Sequence, residues 1–130
     1  MQQVGVDIVE IKRIENAVSR WGSSFLNRIY TDSELQLYGN KPASLAARFS
    51  GKEAVIKALG TNRVAYRDIE ILSDESGRPR VNLYGNAGQR AQDIGVESLS
   101  ISLSHCREYA VACAVSEICP VGGVPPNSLR

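Results

Sequence analysis

Apolar and polar positions recur along this chain with periods that name its elements. Val4, Val6 and Ile8 face one way and Gly5, Asp7 and Val9 the other, so residues 4–9 read as a short strand. Ile11, Ile14, Val18, Trp21 and Phe25 follow at three- and four-residue steps, a helical core stripe with a break near Gly22. Thr31-Asp32-Ser33-Glu34 has the form of a capping box and predicts a short helix over Asp32–Tyr38. Gly39-Asn40-Lys41-Pro42 breaks that helix, and a longer one runs from Pro42 to a stop at Gly60. The long helix carries three stripes. Leu45, Phe49, Ile56 and Leu59 are apolar; Ala47, Gly51, Ala54 and Ala58 are small enough for a second backbone to come close. Glu53 and Lys57 lie one turn apart on a third face beside Ala46.

Past a loop at residues 61–66, Asp68 to Leu72 alternates as a strand, residues 74–79 form a turn and Arg80 to Leu83 returns, giving a hairpin. Ala87 to Ile94 reads as a helix stopped by Gly95. Leu99 to His105 and Tyr109 to Val115 are strands, with Arg107 and Glu108 at their connection. The order of strand, helices, hairpin, helix and two strands predicts an α+β fold with a mostly antiparallel sheet packed by the long central helix. The expected organisation is a single domain over residues 1–118 and a flexible tail over 119–130. The tail holds Gly122, Gly123, Pro125 and Pro126 and shows no periodicity.

Composition narrows the function classes. With 130 residues, 43% of them hydrophobic, the chain can bury a core of its own. A formal charge of +1 argues against nucleic acid as a partner. No apolar run reaches the length of about 18 residues that a membrane span needs, and the N-terminus lacks the basic and apolar regions of a signal peptide. No membrane role and a cytoplasmic location are expected. Cys106, Cys113 and Cys119 have no CxxC spacing and read as free, partly buried thiols.

The chain contains no P-loop, no strand-linked GxGxxG, no HExxH and only one histidine, His105. A His105–Cys106 nucleophile pair fails if both lie in one strand, because neighbours there point to opposite faces. If the strand ends at His105, the objection weakens. Asp7, Lys52, Glu53, Lys57 and His105 remain. Asp7 either caps the following helix or binds a metal, since a carboxylate in an apolar strand is costly otherwise. Glu53 and Lys57 form either an exposed ion pair worth a few tenths of a kcal/mol or a joint phosphate site. Two carboxylates suit Mg²⁺ shared with substrate phosphates, and lysines nearby would neutralise phosphate charge. Lys12, Arg13 and Arg20 lie off the helical core stripe, as a solvated face or a docking surface for an acidic partner.

Four stretches then carry a resemblance. Gly5-Val6-Asp7-Ile8-Val9-Glu10-Ile11-Lys12-Arg13-Ile14, Arg48 to Thr61 with its Lys52-Glu53-Ala54 core, the hairpin residues Asp68-Ile69-Glu70-Ile71 and Gly77-Arg78-Pro79, and Ile101-Ser102-Leu103-Ser104-His105 match, in order and spacing, the motifs of one family. The chain resembles the holo-acyl-carrier-protein synthases, the small 4′-phosphopantetheinyl transferases, over about residues 4–117.

The resemblance implies that fold, and Mg²⁺-dependent transfer of the phosphopantetheine arm of coenzyme A to a serine of apo-acyl carrier protein in fatty acid biosynthesis, with release of adenosine 3′,5′-bisphosphate. It implies Asp7 and Glu53 as metal ligands, and Lys57 and His105 at the coenzyme phosphates, these four forming the catalytic set. Arg48, Lys52, Gly60 and Pro79 would line the coenzyme A site, and Arg13 with Arg20 would dock the carrier protein. The general base stays open between a metal-bound water, Asp7 and Glu53. A homotrimer with sites between neighbours is implied as well. Asn62 departs from the glycine common in relatives. Two other readings stand beside this one: a non-catalytic trimeric module that binds carrier proteins, and another Mg²⁺-dependent phosphotransferase or nucleotide hydrolase.

Overall fold

In a computed structural model that describes residues 1–119, the chain forms two antiparallel sheets and five α-helices. Strand β1 (Gln2–Glu10) leads into α1 (Ile11–Trp21), α2 (Ser23–Ile29), α3 (Asp32–Tyr38) and α4 (Pro42–Leu59). A 3₁₀ turn at Tyr66–Asp68 precedes the hairpin β2 (Ile69–Ser73) and β3 (Pro79–Leu83), then α5 (Gly85–Ile94), β4 (Val96–His105) and β5 (Tyr109–Ile118). The larger sheet has the order β1-β5-β4, with Asp7 opposite Ala112 and His105 opposite Ala110. The expected α+β class and element order are observed. The tail expected over 119–130 falls, apart from Cys119, outside the described residues, and Cys119 itself donates its N–H to the Gly95 carbonyl at 2.8 Å.

Local chemistry sets the boundaries. Thr31 and Glu34 form the capping box at the start of α3. Pro42 opens α4, and Gly60, in the left-handed region at φ 67°, closes it. Gly22, at φ 55°, separates α1 from α2.

Helix α4 packs across the three-stranded sheet, and its small-residue stripe makes the contact possible. A Cβ on Gly5 would meet the Ala54 carbonyl oxygen at 1.9 Å, so β1 lies as close to the helix as two backbones can come. On the same helix, Gly51 leaves room for Ile71, Ile101 and Leu103. The core divides into one cluster around Val9, Ile14, Tyr30 and Leu45, and another around Val55, Leu59, Ile69 and Ile71.

Two features of the packing run against the hydrophobic pattern. In β1 the face carrying Gly5, Asp7 and Val9 lies against α4, while Val4, Val6 and Ile8 are 61%, 56% and 63% exposed. Trp21, placed by its spacing on the core stripe, sits at the end of α1 and is 56% exposed with the Arg20 guanidinium 4.9 Å from its ring centre.

Beneath the hairpin lies a wholly buried ion pair. Lys52 Nζ donates to Glu34 Oε1 at 2.7 Å and to the carbonyls of Ile29, Tyr66 and Ile69 at 2.8, 3.1 and 2.7 Å. Glu34 also accepts from the N–H of Thr31 and of Ile71, both at 2.8 Å. One ammonium thus ties α2, α3, the 3₁₀ turn and β2 to α4.

At the hairpin turn, Asp74 accepts hydrogen bonds from the Ser76 side chain and N–H, the Arg78 N–H and the Arg80 guanidinium. The Ser76 hydroxyl, assisted by the Arg78 and Arg80 donors, holds the Asp74 carboxyl down to about 2 from an ordinary 3.8. A carboxyl lowered on folding adds stability above its unfolded pKa, and that stability is lost as pH falls through the folded value. An NMR titration of Asp74 is therefore expected to show a midpoint near 2, and Ser76→Ala is expected to move it back toward 3.8. An unshifted midpoint in the parent chain would contradict the turn geometry.

Candidate functional site

Strand β1 brings Asp7 over one stripe of α4. Ser50, Glu53 and Lys57 follow each other at helical steps of three and four and so share that stripe. The Ser50 hydroxyl donates to the Asp7 carbonyl at 2.8 Å and to Asp7 Oδ2 at 3.1 Å. Lys57 Nζ donates to the Val6 carbonyl at 2.8 Å and stands 3.4 Å from Asp7 Oδ1. Glu53 lies between these two anchors. Its Oε1 accepts a hydrogen bond from the Tyr66 hydroxyl at 2.5 Å.

This geometry closes two alternatives left by the sequence. Asp7 caps no helix, because Glu10 occupies the N-cap of α1 and makes no side-chain cap bond. Glu53 and Lys57 do not pair with each other among the described residues: the lysine turns to Asp7 and the glutamate to Tyr66. Asp7 is largely covered, whereas the Lys57 side chain stays 52% exposed and keeps donors for a further anion. Val6, Asp7, Ile8, Lys57 and Val111 line an open cavity of about 350 Å³ at this point.

The donor set fits a small divalent cation that takes two protein carboxylates and fills its remaining positions with water and phosphate oxygens. Among the described residues no three His, Cys, Asp or Glu side chains gather as a closed metal cage. An ion held here would therefore keep open positions for a substrate.

Other expected site residues lie elsewhere. His105 ends β4 and is exposed. Strand β5 separates it from β1, and two strand spacings amount to about 10 Å. Within one chain it shares no contact with Asp7. The strand does end at His105, but the neighbouring Cys106 gains no imidazole partner. Its exposed thiol is held below its ordinary range chiefly by the Glu108 and Tyr109 N–H groups. Cys113 is partly buried, and Cys119 is exposed like Cys106, so the thiols are free, though only one of them is sheltered.

Arg48 and Lys52, expected along the coenzyme site, are buried side chains with partners inside the chain. The Arg48 guanidinium binds the Ile71 carbonyl and the Ser73 hydroxyl, both at 3.1 Å, and stacks 3.4 Å from the centre of the Tyr38 ring. Lys52 has no exposed surface. Both face inward, where β2 and α3 close over this side of α4. Gly60 caps α4 and accepts a bond from Arg90 at 3.3 Å. Pro79 lines a groove of about 640 Å³ with Arg78, Arg80, Ser100 and Ser102, between the hairpin turn and edge strand β4.

Arg13 and Arg20 come together as the helical spacing implies. They flank a groove of about 600 Å³ floored by Trp21, Phe25 and Phe49, so the basic face carries an apolar centre that the sequence pattern had assigned to the core. The sequence reasoning also missed Ser50 and Tyr66. Ser50 stands one turn before Glu53 and shares its stripe, a signal the periodicity contained. Tyr66 belongs to a loop without periodicity, and only the fold brings it to Glu53.

Comparison with known proteins converges on one family. Residues 3–114 match the model of the 4′-phosphopantetheinyl transferase superfamily. A holo-[acyl-carrier-protein] synthase of Dehalococcoides mccartyi is 52% identical over 118 residues, covering 90% of this chain and 99% of that protein. One from Moorella thermoacetica is 46% identical, covering 90% and 94%. Among solved structures, the Helicobacter pylori holo-[acyl-carrier-protein] synthase in complex with coenzyme A superposes with a TM-score of 0.80 at 34% identity, over 88% of this chain and 99% of that one.

Proposed function

The chain belongs to the 4′-phosphopantetheinyl transferase superfamily, and on that premise we propose that it moves the phosphopantetheine arm of coenzyme A onto a serine of an apo-acyl carrier protein. The observation that carries this reading is the Asp7 carboxylate held by Ser50 and Lys57 beside Glu53, within the matched region. The serine oxygen forms a bond to the phosphorus on the pantetheine side of the pyrophosphate. The anhydride P–O bond breaks, adenosine 3′,5′-bisphosphate leaves, and the serine proton passes to a base in the Asp7–Glu53 cluster and from there to solvent.

Asp7 and Glu53 would hold Mg²⁺. Bound there, the ion would polarise the phosphoryl oxygens and offset their charge. Lys57, half exposed and already aimed at Asp7, offsets the charge that grows on the departing phosphate. Gly60 and Pro79 border the coenzyme, and the Arg78 and Arg80 groove beside Pro79 suits its nucleotide end. The Arg13–Arg20 face receives an acidic carrier protein, with Trp21 available as an apolar anchor.

The same reading includes a homotrimer. Val4, Val6 and Ile8 on β1 continue across the outer sheet face to Val111, Cys113 and Val115 on β5, an apolar surface that adjoins the Asp7 cavity. A neighbour seated there would cover this surface, wall the site and bring its own His105 toward the phosphates. The free thiols suit a reducing cytoplasm. No described helix is long and apolar enough to cross a membrane.

Incubation with coenzyme A and Mg²⁺, with and without an apo-carrier protein, separates the readings. Release of adenosine 3′,5′-bisphosphate only when the carrier is present is the expected result. Release without carrier would point to a hydrolase, and salt-sensitive carrier binding with no release would point to a docking module.

A further inference from the structure

Tyr66 is held at three points, and each has a different origin. Its carbonyl oxygen accepts from the buried Lys52 ammonium at 3.1 Å. Its ring packs against Phe49 on α4, with centres 5.5 Å apart. Its hydroxyl donates to Glu53 Oε1. Phe49, Lys52 and Glu53 lie within little more than one turn of α4, so the helix grips the loop residue by backbone and ring and receives its hydroxyl in return. Lys52 in turn is fixed by Glu34 and by two further carbonyls. The interior ion pair and the candidate cation site are thus joined through a single residue, by its backbone carbonyl on one side and its hydroxyl on the other.

We propose that Tyr66 is a positioning residue for the Glu53 carboxylate, fixing one of its oxygens so that the other faces the cation shared with Asp7. The inference rests on the reading of Asp7 and Glu53 as cation ligands. A free glutamate on a helix surface samples several rotamers, and ordering it at the moment of binding costs side-chain entropy. A hydroxyl already bonded to Oε1 removes that cost and sets the carboxylate plane before a substrate arrives. The buried Lys52–Glu34 pair acquires a use in this arrangement, since it keeps the Tyr66 backbone from moving away with the loop. Tyr66 touches no reacting atom.

The test is a titration of the intact protein with Mn²⁺ in saturating coenzyme A, followed by electron paramagnetic resonance of the free ion. Tyr66→Phe keeps the ring on Phe49 and removes only the hydroxyl. It is expected to weaken Mn²⁺ binding by about 10–100-fold, the range found when a ligand's supporting hydrogen bond is lost. The metal concentration for half-maximal transfer should rise in proportion, kcat at saturating metal should fall far less, and coenzyme A affinity without metal should not change. Wild-type Mn²⁺ affinity in a folded Tyr66→Phe would overturn the inference, and so would tighter binding. Should Tyr66→Phe not fold, Phe49→Leu, which keeps the hydroxyl but frees the ring, is expected to weaken Mn²⁺ binding as well; unchanged affinity there would overturn the inference equally. Glu53→Gln separates the two levels of the argument. If it abolishes Mn²⁺ binding while Tyr66→Phe does not alter it, the role of Tyr66 fails alone. If Glu53→Gln binds Mn²⁺ normally, the reading of the cation site fails first.

Discussion

Glu53→Gln is expected to remove nearly all transfer while leaving the fold in place. Glu53 shares the α4 stripe of Ser50 and Lys57, which both bind Asp7, and under the proposed reading its second oxygen is the one that meets the cation. Replacing a charged ligand by a neutral amide withdraws charge stabilisation where the phosphate charge develops. Loss of one such group costs on the order of 10²–10³ in kcat. The fold should tolerate the change for a structural reason. Among the described residues this side chain accepts one hydrogen bond, from the Tyr66 hydroxyl, and an amide oxygen accepts it as well. Stability is then expected to stay within about 1 kcal/mol of the parent. Rates of bisphosphate release and a urea denaturation curve, measured on one preparation, check both halves. Activity within a few-fold of the parent would remove Glu53 from the cation site.

Lys52→Met is expected to do the reverse, damaging the fold before the chemistry. The substitution leaves Glu34 charged and wholly buried, with two N–H donors but no cation. It also strips the donor from the carbonyls of Ile29, Tyr66 and Ile69. Breaking a buried pair from one side costs about 3–5 kcal/mol. For a domain of this size that lowers Tm by roughly 10–20 °C. Lys52→Met combined with Glu34→Gln should recover part of the loss, because no buried charge is then left alone. A single-variant loss below about 1 kcal/mol would mean that the pair is not the tie between α4 and the elements packed over it.

The contrast between these two residues, adjacent in the chain, shows what the sequence could and could not disclose. Helix α4 was legible because Pro42, Gly60 and a run without breakers are local signals. So was α3, whose capping box needs four residues and no tertiary partner. The hairpin and the two C-terminal strands were legible from alternation. The place of β1 beside β5 was not, since it pairs residues 99 to 115 positions apart. Nor was the buried pair, because Lys52 and Glu34 stand on separate helices, and the local pattern offers Glu34 only as a helix cap and Lys52 only as a phosphate-site candidate. Periodicity put Glu53 beside Lys57 as partners, yet the fold sends each to a residue outside the helix.

Strand β1 teaches the same lesson from the other side. Its valine- and isoleucine-bearing face has the composition of a core, and its opposite face has a glycine and an aspartate. The helix needs the glycine, since only a residue without Cβ lets Ala54 approach, and so the apolar face turns outward. Trp21 and Tyr66 likewise owe their positions to contacts that no local pattern records. The candidate site was proposed chiefly from the motif resemblance, and the chain's match to its family extends over the region that holds Asp7, Glu53, Lys57 and His105.

The central claim concerns a covalent change in another protein, so it is best read on that protein. An apo-acyl carrier protein incubated with this chain, coenzyme A and Mg²⁺ should gain the mass of one phosphopantetheine on its acceptor serine, and should gain nothing when that serine is replaced by alanine. A carrier whose intact mass stays unchanged across a panel of carrier proteins and divalent cations would contradict the account.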